Sequence, residues 1–408
     1  MTEYAEFDIV IVGGGMVGGT LACVLAQKDL RIALIEAFPF KSNQQPSYDD
    51  RSIALAYGSK IILENCDLWA PLSAHATPIK QIHVSDRGHF GFTRINSNSS
   101  PYNALGYVIE NRAMGQVFAE TLSQQTNITL FCPSQLRSLD IDMHHAQATI
   151  RTGDRDVTIK SRLIIGADGS QSTVRQLCNI ANRCWDYGQT AIITNISTEK
   201  DHNNCAYERF TSSGPLALLP MSQQRCSVVW TVRNQDLEKT LALSDDAFLQ
   251  QLQQQFGYRL GLLKQCGKRS SYPLQLMRPD HDSTERVVLI GNAAHTLHPI
   301  AGQGFNLGIR DVAVLAEILT DALDQGRDIG TAKVLDTYKK WRQSDQRTVS
   351  FMTDSLVRVF SNDFPPLVLA RNIGLLAMDI LPPLKNRLAK QAMGLSGRLP
   401  RLSRGLPL

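Results

Sequence analysis

The segment FDIVIVGGGMVGGTLACVLAQKDLRIALIE, which runs from Phe7 to Glu36, decides the fold that we predict for this chain. A short apolar run is followed by a glycine cluster, a helix-like stretch and a second apolar run. This order predicts a strand, a turn, a helix and a second strand. Gly13, Gly15 and Gly18 occupy the three glycine places of a dinucleotide-binding fingerprint.

Each conspicuous residue of this motif has its own physical task. Gly13 permits the tight turn, Gly15 lets the backbone approach a pyrophosphate, and Gly18 lets the helix pack closely on the strand. The helix N-terminus directs unsatisfied N–H groups at the anion, and Glu36 can accept both hydroxyls of an adenosine ribose. The motif therefore predicts nucleotide binding; the alternative is a glycine-rich turn in an ordinary α/β domain.

Composition sets the class of protein. The chain has 408 residues, 43% of them hydrophobic and 20% charged, with a net charge of +4. That length is enough for two substructures with their own cores, and the charge is too small to argue for nucleic acid. The eight cysteines form no CxxC pair, which is typical of reduced thiols in a cytosolic protein rather than of disulfides or a metal site. We see neither a signal peptide nor an apolar run long enough for a transmembrane helix.

Two later stretches repeat the pattern of a strand that ends in glycines before a helix. The first is GADGS, Gly166 to Ser170, and the second is GNAAHTLHPIAGQGFNLG, Gly291 to Gly308. Acids and glycines at the carboxyl end of a strand lie where α/β sheets bind ligands. The late stretch is a second glycine-rich strand–loop–helix far from the first motif, and these two sites suggest one extended cofactor that is held at both ends. The pair His295 and His298 has no cysteine or carboxylate nearby to complete a metal shell, so we expect no metal.

Two arginines are further candidates for contacts to phosphate. Arg51 lies in DRSIAL, which we interpret as the start of a helix after a loop from Lys41 to Asp50. Arg112 and Gln116 are four residues apart, on one face of a second predicted helix. The alternatives are a solvated arginine at a helix start and ordinary hydrogen bonding at the surface.

Taken together, these motifs resemble a known family. The GxGxxG with a distal Glu, the mid-chain ADGxxSxxR and the late GNAAHxxxPxxGQGxN resemble the single-component, FAD-dependent aromatic hydroxylases of the para-hydroxybenzoate hydroxylase fold. The stretches HVSDRGHFGF, ERFTSSGPLALLPM and RQSDQRTVSFMTDSLVRVF are similar to its ubiquinone-pathway branch, and most of all to the 2-polyprenyl-6-methoxyphenol hydroxylases. The resemblance covers essentially the whole chain.

The resemblance implies an α/β fold with a Rossmann-like FAD-binding domain of the glutathione-reductase type, an interleaved β-sheet substrate domain and a C-terminal helical segment. The FAD-binding parts are 1–75, 106–180 and 281–345. The substrate domain comprises a hairpin at 76–105 and a sheet at 181–280, and the C-terminal segment is 346–408.

The resemblance also implies which residues bind FAD. They are Gly13, Gly15, Met16, Val17, Gly18, Glu36, Arg51, Arg112, Asp168, Gly169, Asn292, Pro299, Gly302, Gly304, Phe305 and Asn306. Asp168 and Gly169 also belong to the motif where the nicotinamide donor docks, and Arg175 closes that motif through a salt bridge. The family usually has Asp where this chain has Asn292, which can still bind a ribityl hydroxyl but brings no charge.

The implied activity is a monooxygenase reaction. NAD(P)H, the co-substrate, reduces FAD, O2 adds at the flavin C4a position, and the resulting hydroperoxide hydroxylates the ring of a polyprenyl (methoxy)phenol in ubiquinone biosynthesis. His298 and Tyr207 are the candidates for an acid or base; the alternative is that they only pack. Two rival functions are a prenyl-chain reductase or halogenase of the same fold, for which we see no WxWxIP motif, and a non-catalytic flavin-binding subunit.

The C-terminus differs in composition from the rest of the chain. Phe364 to Leu384 is mostly apolar, and beyond Asp379 only basic residues carry charge. Such a pattern suits a membrane surface or the groove of a partner, such as another ubiquinone-biosynthesis protein. We therefore expect a cytoplasmic protein that binds peripherally to the inner membrane. The alternative is a packed helix followed by a frayed basic tail.

Overall fold

The fold is taken from a computed structural model that describes residues 5–40, 51–99, 101–296, 302–360, 362 and 364–408. The described strands are β1 (Ala5–Val12), β2 (Ile32–Ile35), β3 (Ser52–Ala56), β4 (Thr77–Ile79), β5 (Gln81–Asp86), β6 (Phe92–Asn96), β7 (Gly106–Glu110), β8 (Ile128–Phe131), β9 (Gln135–Ile141), β10 (Ala146–Thr152), β11 (Arg155–Gly166), β12 (Asn182–Thr198), β13 (Cys205–Thr211), β14 (Gly214–Pro220), β15 (Arg225–Arg233), β16 (Leu263–Cys266), β17 (Ser270–Pro279), β18 (Ser283–Thr284) and β19 (Val287–Leu289). The described α-helices are α1 (Met16–Ala26), α2 (Tyr57–Glu64), α3 (Trp69–Ser73), α4 (Asn111–Ser123), α5 (Thr173–Leu177), α6 (Leu237–Leu241), α7 (Asp245–Phe256), α8 (Gln303–Asp324), α9 (Ala332–Phe360), α10 (Pro365–Ile380) and α11 (Pro382–Ala392).

The first sheet is a parallel core with the order β19-β11-β1-β2-β8, and it carries β18 at one edge. Its central strands are buried on both faces, as is typical of parallel sheets that are covered by helices. Val12 pairs with Gly166 and with Ile35, so three strands end side by side. This edge is where the sequence predicts a ligand, and the α/β fold class is confirmed.

Helices α1, α4, α8 and α9 cover one face of this sheet and share its largest apolar cluster. α8 packs against both α1 and α9. α1 has no exposed polar stripe in its first two turns, because the residues from Gly18 to Leu25 are all buried. The N-terminal ends of α1 and α8 are therefore held rigidly by core packing.

The second sheet has the order β16-β12-β15-β14-β13-β5-β6, with β17 also paired to β12. Its strands come from 81–96 and 182–279, so the chain leaves the first sheet twice to build it. Helix α7 covers one face through Phe248, Leu252 and Phe256, which pack on residues such as Ile192 and Trp230. We call this α7-covered side the rear face and the opposite side the front face.

A three-stranded sheet, β3-β7-β4, lies between the two larger sheets. Here the prediction of a helix over DRSIAL is wrong, because Ser52 to Ala56 form strand β3 and the helix begins only at Tyr57. The physical reason is a partner from elsewhere in the chain. β3 pairs antiparallel with β7 from Ser52–Glu110 to Ala56–Gly106, and this pairing overrides the local pattern.

The C-terminal helices pack onto the second sheet, which we call the substrate sheet after the predicted substrate domain. α9 is continuous from Ala332 to Phe360, so the predicted boundary at 345/346 lies inside it; the domain division itself stays a prediction. Buried Arg371 of α10 pairs with Asp86 of β5 at 2.8 Å, and Asn372 accepts the Gly91 N–H. Of the described helices, none alone is long and apolar enough to cross a membrane, although α10 and α11 pass that test as a pair bent by 94°.

Candidate active site

The glycines of the first motif fall into two kinds. Gly13 has φ +102°, and a Cβ on it would lie 2.5 Å from the Ala167 carbonyl oxygen. A Cβ on Gly18 would overlap the Gly13 carbonyl oxygen. These two glycines therefore let the chain pack against itself. Gly15 differs, because a Cβ there would meet no protein atom within 4 Å. Its open side is available to a ligand.

Helix α1 begins directly after Gly15, its N-cap residue, which provides no side-chain acceptor. The first backbone N–H groups of a helix have no intrahelical partner, and the helix dipole favours negative charge there. The N–H groups of Met16 and Val17 belong to this first turn. The open glycine and the uncapped turn form a cradle suited to a pyrophosphate.

The Glu36 carboxylate lies beside this cradle. Its two oxygens accept the N–H of Gly14 at 2.8 Å and the N–H of Phe38 at 2.9 Å. The side chain is buried at the end of β2. These hydrogen bonds fix the carboxylate next to the glycine turn, which is where the ribose hydroxyls are expected.

The two candidate arginines come together although they lie far apart in sequence. The Asn111 N–H donates to the Arg51 carbonyl at 2.8 Å, which brings the first turn of α4 next to β3. The Arg51 guanidinium lies 4.6 Å from the centroid of the Tyr272 ring in the substrate sheet. Arg112 is exposed and has no ion-pair partner in the part of the chain that the structure describes. Two cations therefore lie near α1, against which α4 packs.

Asp168 caps a helix. It accepts the Ser172 hydroxyl at 2.5 Å and the Val174 N–H at 3.1 Å, at the start of α5. Burial raises the pKa of this carboxyl, and the two hydrogen bonds oppose the shift. Gly169 follows with φ +83° and open space at its Cβ position. The motif therefore closes the turn after β11 beside Gly13.

The predicted salt bridge of Arg175 is wrong. Its guanidinium is buried and donates to the carbonyls of Ala293 at 3.0 Å and Ser170 at 2.6 Å, with no carboxylate partner among the described residues. The cause is the position of α5, which directs the side chain at backbone from two loops. Arg175 therefore connects the mid-chain motif with the late motif.

The late motif is described in part. Pro299 and His298 lie outside the described residues, as does the loop predicted from Lys41 to Asp50. Asn292 is exposed in a single 3-10 turn after β19. Gly302 caps α8 with φ +62°, and a Cβ there would touch the Ala54 side chain.

The next two residues of the late motif lie in the first turn of α8. A Cβ on Gly304 would meet open space, and Phe305 is partly buried against the main core. The start of α8 is thus a second uncapped helix end with an open glycine.

Asn306 is a structural clasp between α8 and β3. Its amide oxygen accepts the Ala56 N–H and the Ser59 hydroxyl, each at 2.8 Å. Its amide nitrogen donates to the carbonyls of Ala54 and Gly302, also at 2.8 Å each. Every hydrogen-bonding direction of the side chain is used within the protein, so its contribution is to fix the glycine turn before α8.

We expect Asn306→Ala to lower the free energy of unfolding by roughly 2–3 kcal/mol, because it leaves buried donors and acceptors without partners. FAD content should also fall, since Gly302 loses its anchor. Urea unfolding of the apoprotein and the flavin-to-protein absorbance ratio measure both effects. The control is Asn182→Ala at an exposed position of β12, which should stay within about 0.5 kcal/mol of the wild type. Equal stability of the two variants would contradict the clasp.

A buried charge network lies behind the late motif and was not predicted. Asp311 of α8 is 0% exposed and binds His295 Nε2 at 2.6 Å, the Gly291 N–H at 2.9 Å and Arg342 Nε at 2.7 Å. Burial alone would raise the pKa of Asp311, but His295 and Arg342 outweigh it and hold the pKa well below its usual range. Within the described ranges no group of histidine, cysteine and acidic residues could hold a metal ion. His295 is thus an anchor for the loop.

Tyr207, a candidate acid or base, lies apart from the other candidate site residues. It lies on the rear face of the substrate sheet, edge-on to Phe256 at 5.3 Å between ring centroids. Burial raises its pKa well above that of a free tyrosine. The front face, which packs on the β3-β7-β4 sheet through Ala206 and Leu219, carries different residues.

The residues that surround the cradle fit FAD. The open side of Gly15, the uncapped start of α1, the fixed carboxylate of Glu36 and the paired segments of Arg51 and Arg112 suit an adenosine pyrophosphate. The uncapped start of α8 with open Gly304 would suit the other end of an extended cofactor.

Comparison with known proteins agrees with this geometry. Residues 6–350 match the family model described as FAD binding domain. The chain is 39% identical to ubiquinone hydroxylase UbiL of Rhodospirillum rubrum, across 98% of this chain and 93% of that protein. It is 31% identical to the 3-demethoxyubiquinol 3-hydroxylase of Escherichia coli, across 95% of this chain and 98% of that protein.

Among solved structures, the chain is similar in fold to p-nitrophenol 4-monooxygenase PnpA of Pseudomonas putida. The TM-score is 0.81 at 17% identity, covering 97% of this chain and 99% of that one. The sequence match to the family model spans most of the chain, and the full-length relatives exceed 30% identity. The chain therefore belongs to the family of FAD-dependent monooxygenases that is built on this FAD-binding domain.

Proposed function

We propose that this protein hydroxylates the ring of a polyprenyl (methoxy)phenol in ubiquinone biosynthesis, with FAD as cofactor and NAD(P)H and O2 as co-substrates. The observation that carries the proposal is the full-length similarity to UbiL, a ubiquinone hydroxylase, joined to an open cradle that fits FAD. A phenol is a suitable acceptor, because its oxygen directs electron density to the ortho and para carbons.

The bound flavin supplies the redox chemistry and the activation of oxygen. The residues of the chain bind and orient it, through the turn at Gly15, the carboxylate of Glu36 and the starts of α1 and α8. The second task of the protein is to exclude water from the reacting atoms. The front face of the substrate sheet serves this task, since its apolar residues Ala206 and Leu219 pack with Ala54 and Val108 of the three-stranded β3-β7-β4 sheet.

The test is NAD(P)H consumption by the FAD-loaded protein with a short-chain 2-prenyl-6-methoxyphenol. A hydroxylase consumes NAD(P)H faster when the phenol is present and yields a product that is heavier by one oxygen atom. A prenyl-chain reductase would yield a product heavier by two hydrogen atoms, and a non-catalytic subunit would show no dependence on the phenol. Either of these results would reject the proposal.

We further propose that α10 and α11 dock the enzyme on a lipid surface, where a polyprenyl substrate resides. Apolar side chains project from this helix pair, among them Phe364 (63% exposed), Ile373 (54%) and Ile380 (70%). Arg387 and Lys390 of α11 have no ion-pair partner in the described part of the chain. Apolar residues flanked by free cations are typical of peripheral attachment to anionic lipids.

The end of the chain does not fray, in contrast to the alternative considered from the sequence. Leu402 is buried in the main core, and the Arg401 N–H donates to Glu317 at 2.6 Å, while its guanidinium pairs with Asp321. The basic residues at the C-terminus thus divide into two groups. Arg401 is held by α8, Arg398 by Trp341 of α9 and Lys385 by Asp379, whereas Arg387 and Lys390 of α11 have no ion-pair partner among the described residues. The proposed docking surface rests on the second group.

The double variant Ile373→Glu with Ile380→Glu should weaken binding to phosphatidylglycerol vesicles by at least about tenfold, because two apolar anchors of roughly 1.5–3 kcal/mol each are lost. Co-sedimentation with vesicles measures the effect. The control is Met143→Glu, at an exposed apolar position in the turn after β9. If the double variant and the control bind vesicles equally, docking through α10 is excluded.

A further inference from the structure

A row of partly exposed residues crosses the front face of the substrate sheet. The row, which we call the front row, consists of Val84, Glu208, Ala217, Val229 and Ile193. Glu208 pairs with Val84 and Ala217, Ala217 pairs with Val229, and Val229 pairs with Ile193, so the row is in register across five strands.

These partly exposed positions contrast with their rear-face neighbours on β12, β14 and β15. There the neighbouring residues Ile192, Leu218 and Val228 are fully buried. The strands of the front row lie inside the sheet rather than at its edge. On β13, the front-face residues on either side of Glu208, Ala206 and Phe210, are buried by other elements. Partial exposure between two covered positions in the middle of a sheet indicates that the front row lines a cavity.

The position of Glu208 in that cavity follows from its neighbours on β13. Two residues earlier, Ala206 packs with Ala54, the residue that touches Gly302 at the start of α8. Two residues later, Phe210 stacks on Phe360 of α9 at 3.8 Å between ring centroids. Each neighbour is about 7 Å away along the strand. Glu208 therefore lies between the flavin side of the cavity and the C-terminal helices.

Glu208 lacks a partner. No described residue forms a hydrogen bond or an ion pair with its carboxylate, although the residue is not exposed. Burial raises its pKa to about 7, and no neighbouring charge contributes to the shift. A carboxylate without a structural partner, which lines a cavity and titrates near neutral pH, has the properties of a general base.

Several charged groups on the elements around Glu208 are paired within the part of the chain that the structure describes. On β5, Asp86 pairs with Arg371 of α10, and on β15 Arg225 pairs with Glu110 of β7. On α9, Asp354 accepts the Tyr187 hydroxyl and pairs with Arg358. β14, which lies directly beside Glu208, carries no titratable residue. Among these groups Glu208 has no partner, so its carboxylate can exchange a proton with a substrate.

We propose that Glu208 is the catalytic base of the hydroxylation and accepts the proton of the substrate's phenolic hydroxyl. This inference rests on the proposed function. In the step the phenolic O–H bond breaks, a bond forms between the proton and the Glu208 carboxylate, and the electron pair stays on the phenolic oxygen. That pair enriches the ring carbons that receive oxygen. When the ring becomes aromatic again, Glu208 returns its proton to the phenolic oxygen. The C–H bond of the hydroxylated carbon breaks in the same step, its electron pair enters the ring, and its proton passes to water.

The test compares Glu208→Gln with Glu238→Gln, which makes the same chemical change at an exposed position of α6 in the same domain. Glu208→Gln should lower kcat for hydroxylation by about 10²–10⁴-fold, the usual contribution of a general base. Glu238→Gln should hydroxylate like the wild type.

The wild-type rate should rise about tenfold from pH 6 to pH 8, as a base of pKa about 7 ionises. In Glu208→Gln the increase of the hydroxylation rate with pH should shift to the pH range around the pKa of the phenol itself.

Unchanged kcat and an unchanged pH profile in Glu208→Gln would overturn the proposal. If that variant fails to retain FAD, a binding measurement on the wild type decides instead. The dissociation constant of the phenol, followed by flavin absorbance, should decrease above pH 7, whereas that of its methyl ether should not change. A flat profile for both ligands would overturn the base assignment. Loss of the proposed function is recognised separately, because the wild type would then form no oxygenated product at any pH.

Discussion

Gly15→Ala is expected to abolish FAD retention while the apoprotein keeps its fold. A Cβ at this position meets no protein atom within 4 Å, and the backbone there (φ −64°, ψ −174°) is accessible to alanine. The methyl group would instead occupy the space of the pyrophosphate. We expect FAD affinity to fall by at least about 100-fold, or roughly 2.7 kcal/mol, with less than about 1 kcal/mol lost in apoprotein stability. Titration of the apoprotein with FAD measures the first quantity, and urea unfolding measures the second.

Two further glycines serve as controls for this prediction. Gly374 in α10 also has open space around its Cβ position, so Gly374→Ala should affect neither FAD binding nor the fold. Gly18→Ala should destabilise the apoprotein itself, because its Cβ would overlap the Gly13 carbonyl oxygen. A Gly15→Ala protein that binds FAD as tightly as the wild type would refute the cradle.

Asp311→Ala should be among the most destabilising single substitutions in this protein. The carboxylate is fully buried, and its removal leaves the guanidinium of Arg342, which is also buried, without its Nε acceptor. His295 and the Gly291 N–H lose their partner at the same time. Breaking a buried ion pair on one side costs about 3–5 kcal/mol. Urea unfolding should show this loss, and FAD content should drop because the loop after β19 is released.

The pH dependence of this effect has a defined sign. The pKa of Asp311 is lowered in the folded state, so its stabilising contribution is complete above the unfolded value of about 3.9 and is lost as pH falls through the lower folded value. The stability difference between the wild type and Asp311→Ala should therefore be present at pH 5 and should shrink as the pH falls further into the acid range. Asp336→Ala, at an exposed position of α9, is the control and should be neutral. If Asp311→Ala were as stable as the wild type, the stabilising role of the buried charge network would be contradicted.

The parts of the fold that follow from local pattern could be predicted. The parallel strands are continuous apolar runs, and the first motif has glycines at positions where a side chain would collide with the backbone, as at Gly13 and Gly18. The helix predicted over DRSIAL failed because Ile53, Ala54 and Leu55 have no strong local preference. Their strand is decided by pairing with Tyr107 to Ile109, a contact that no local window contains.

β8 gives a second example of the same limit. The sequence from Ile128 to Cys132 has the apolar pattern of a strand, and together with the strand-like segments at 146–151 and 157–159 it predicts a β-meander. In the structure β8 pairs in parallel with β2, and the unpredicted strand β9 takes its place beside β10. Short apolar runs identify a strand but not its partner.

The candidate site divides in the same way. Glu36 could be predicted because it ends the strand after the glycines. Asp311 and Arg342 could not, because each reads as an ordinary helix residue until α8 and α9 pack together. Glu208 was hidden for a related reason. The segment ERFTSSGPLALLPM alternates as a strand. The face of the sheet on which Glu208 lies, however, depends on the register of β13 with β5 and β14.

Oxygen-18 labelling tests the central claim most directly. The FAD-loaded protein is incubated with NADPH, a short-chain 2-prenyl-6-methoxyphenol and ¹⁸O₂, and the product is analysed by mass spectrometry. The proposed monooxygenase reaction predicts one labelled oxygen atom on the ring, with fragmentation that identifies the carbon. A product that carries unlabelled oxygen from water, or that gains only hydrogen, would contradict it.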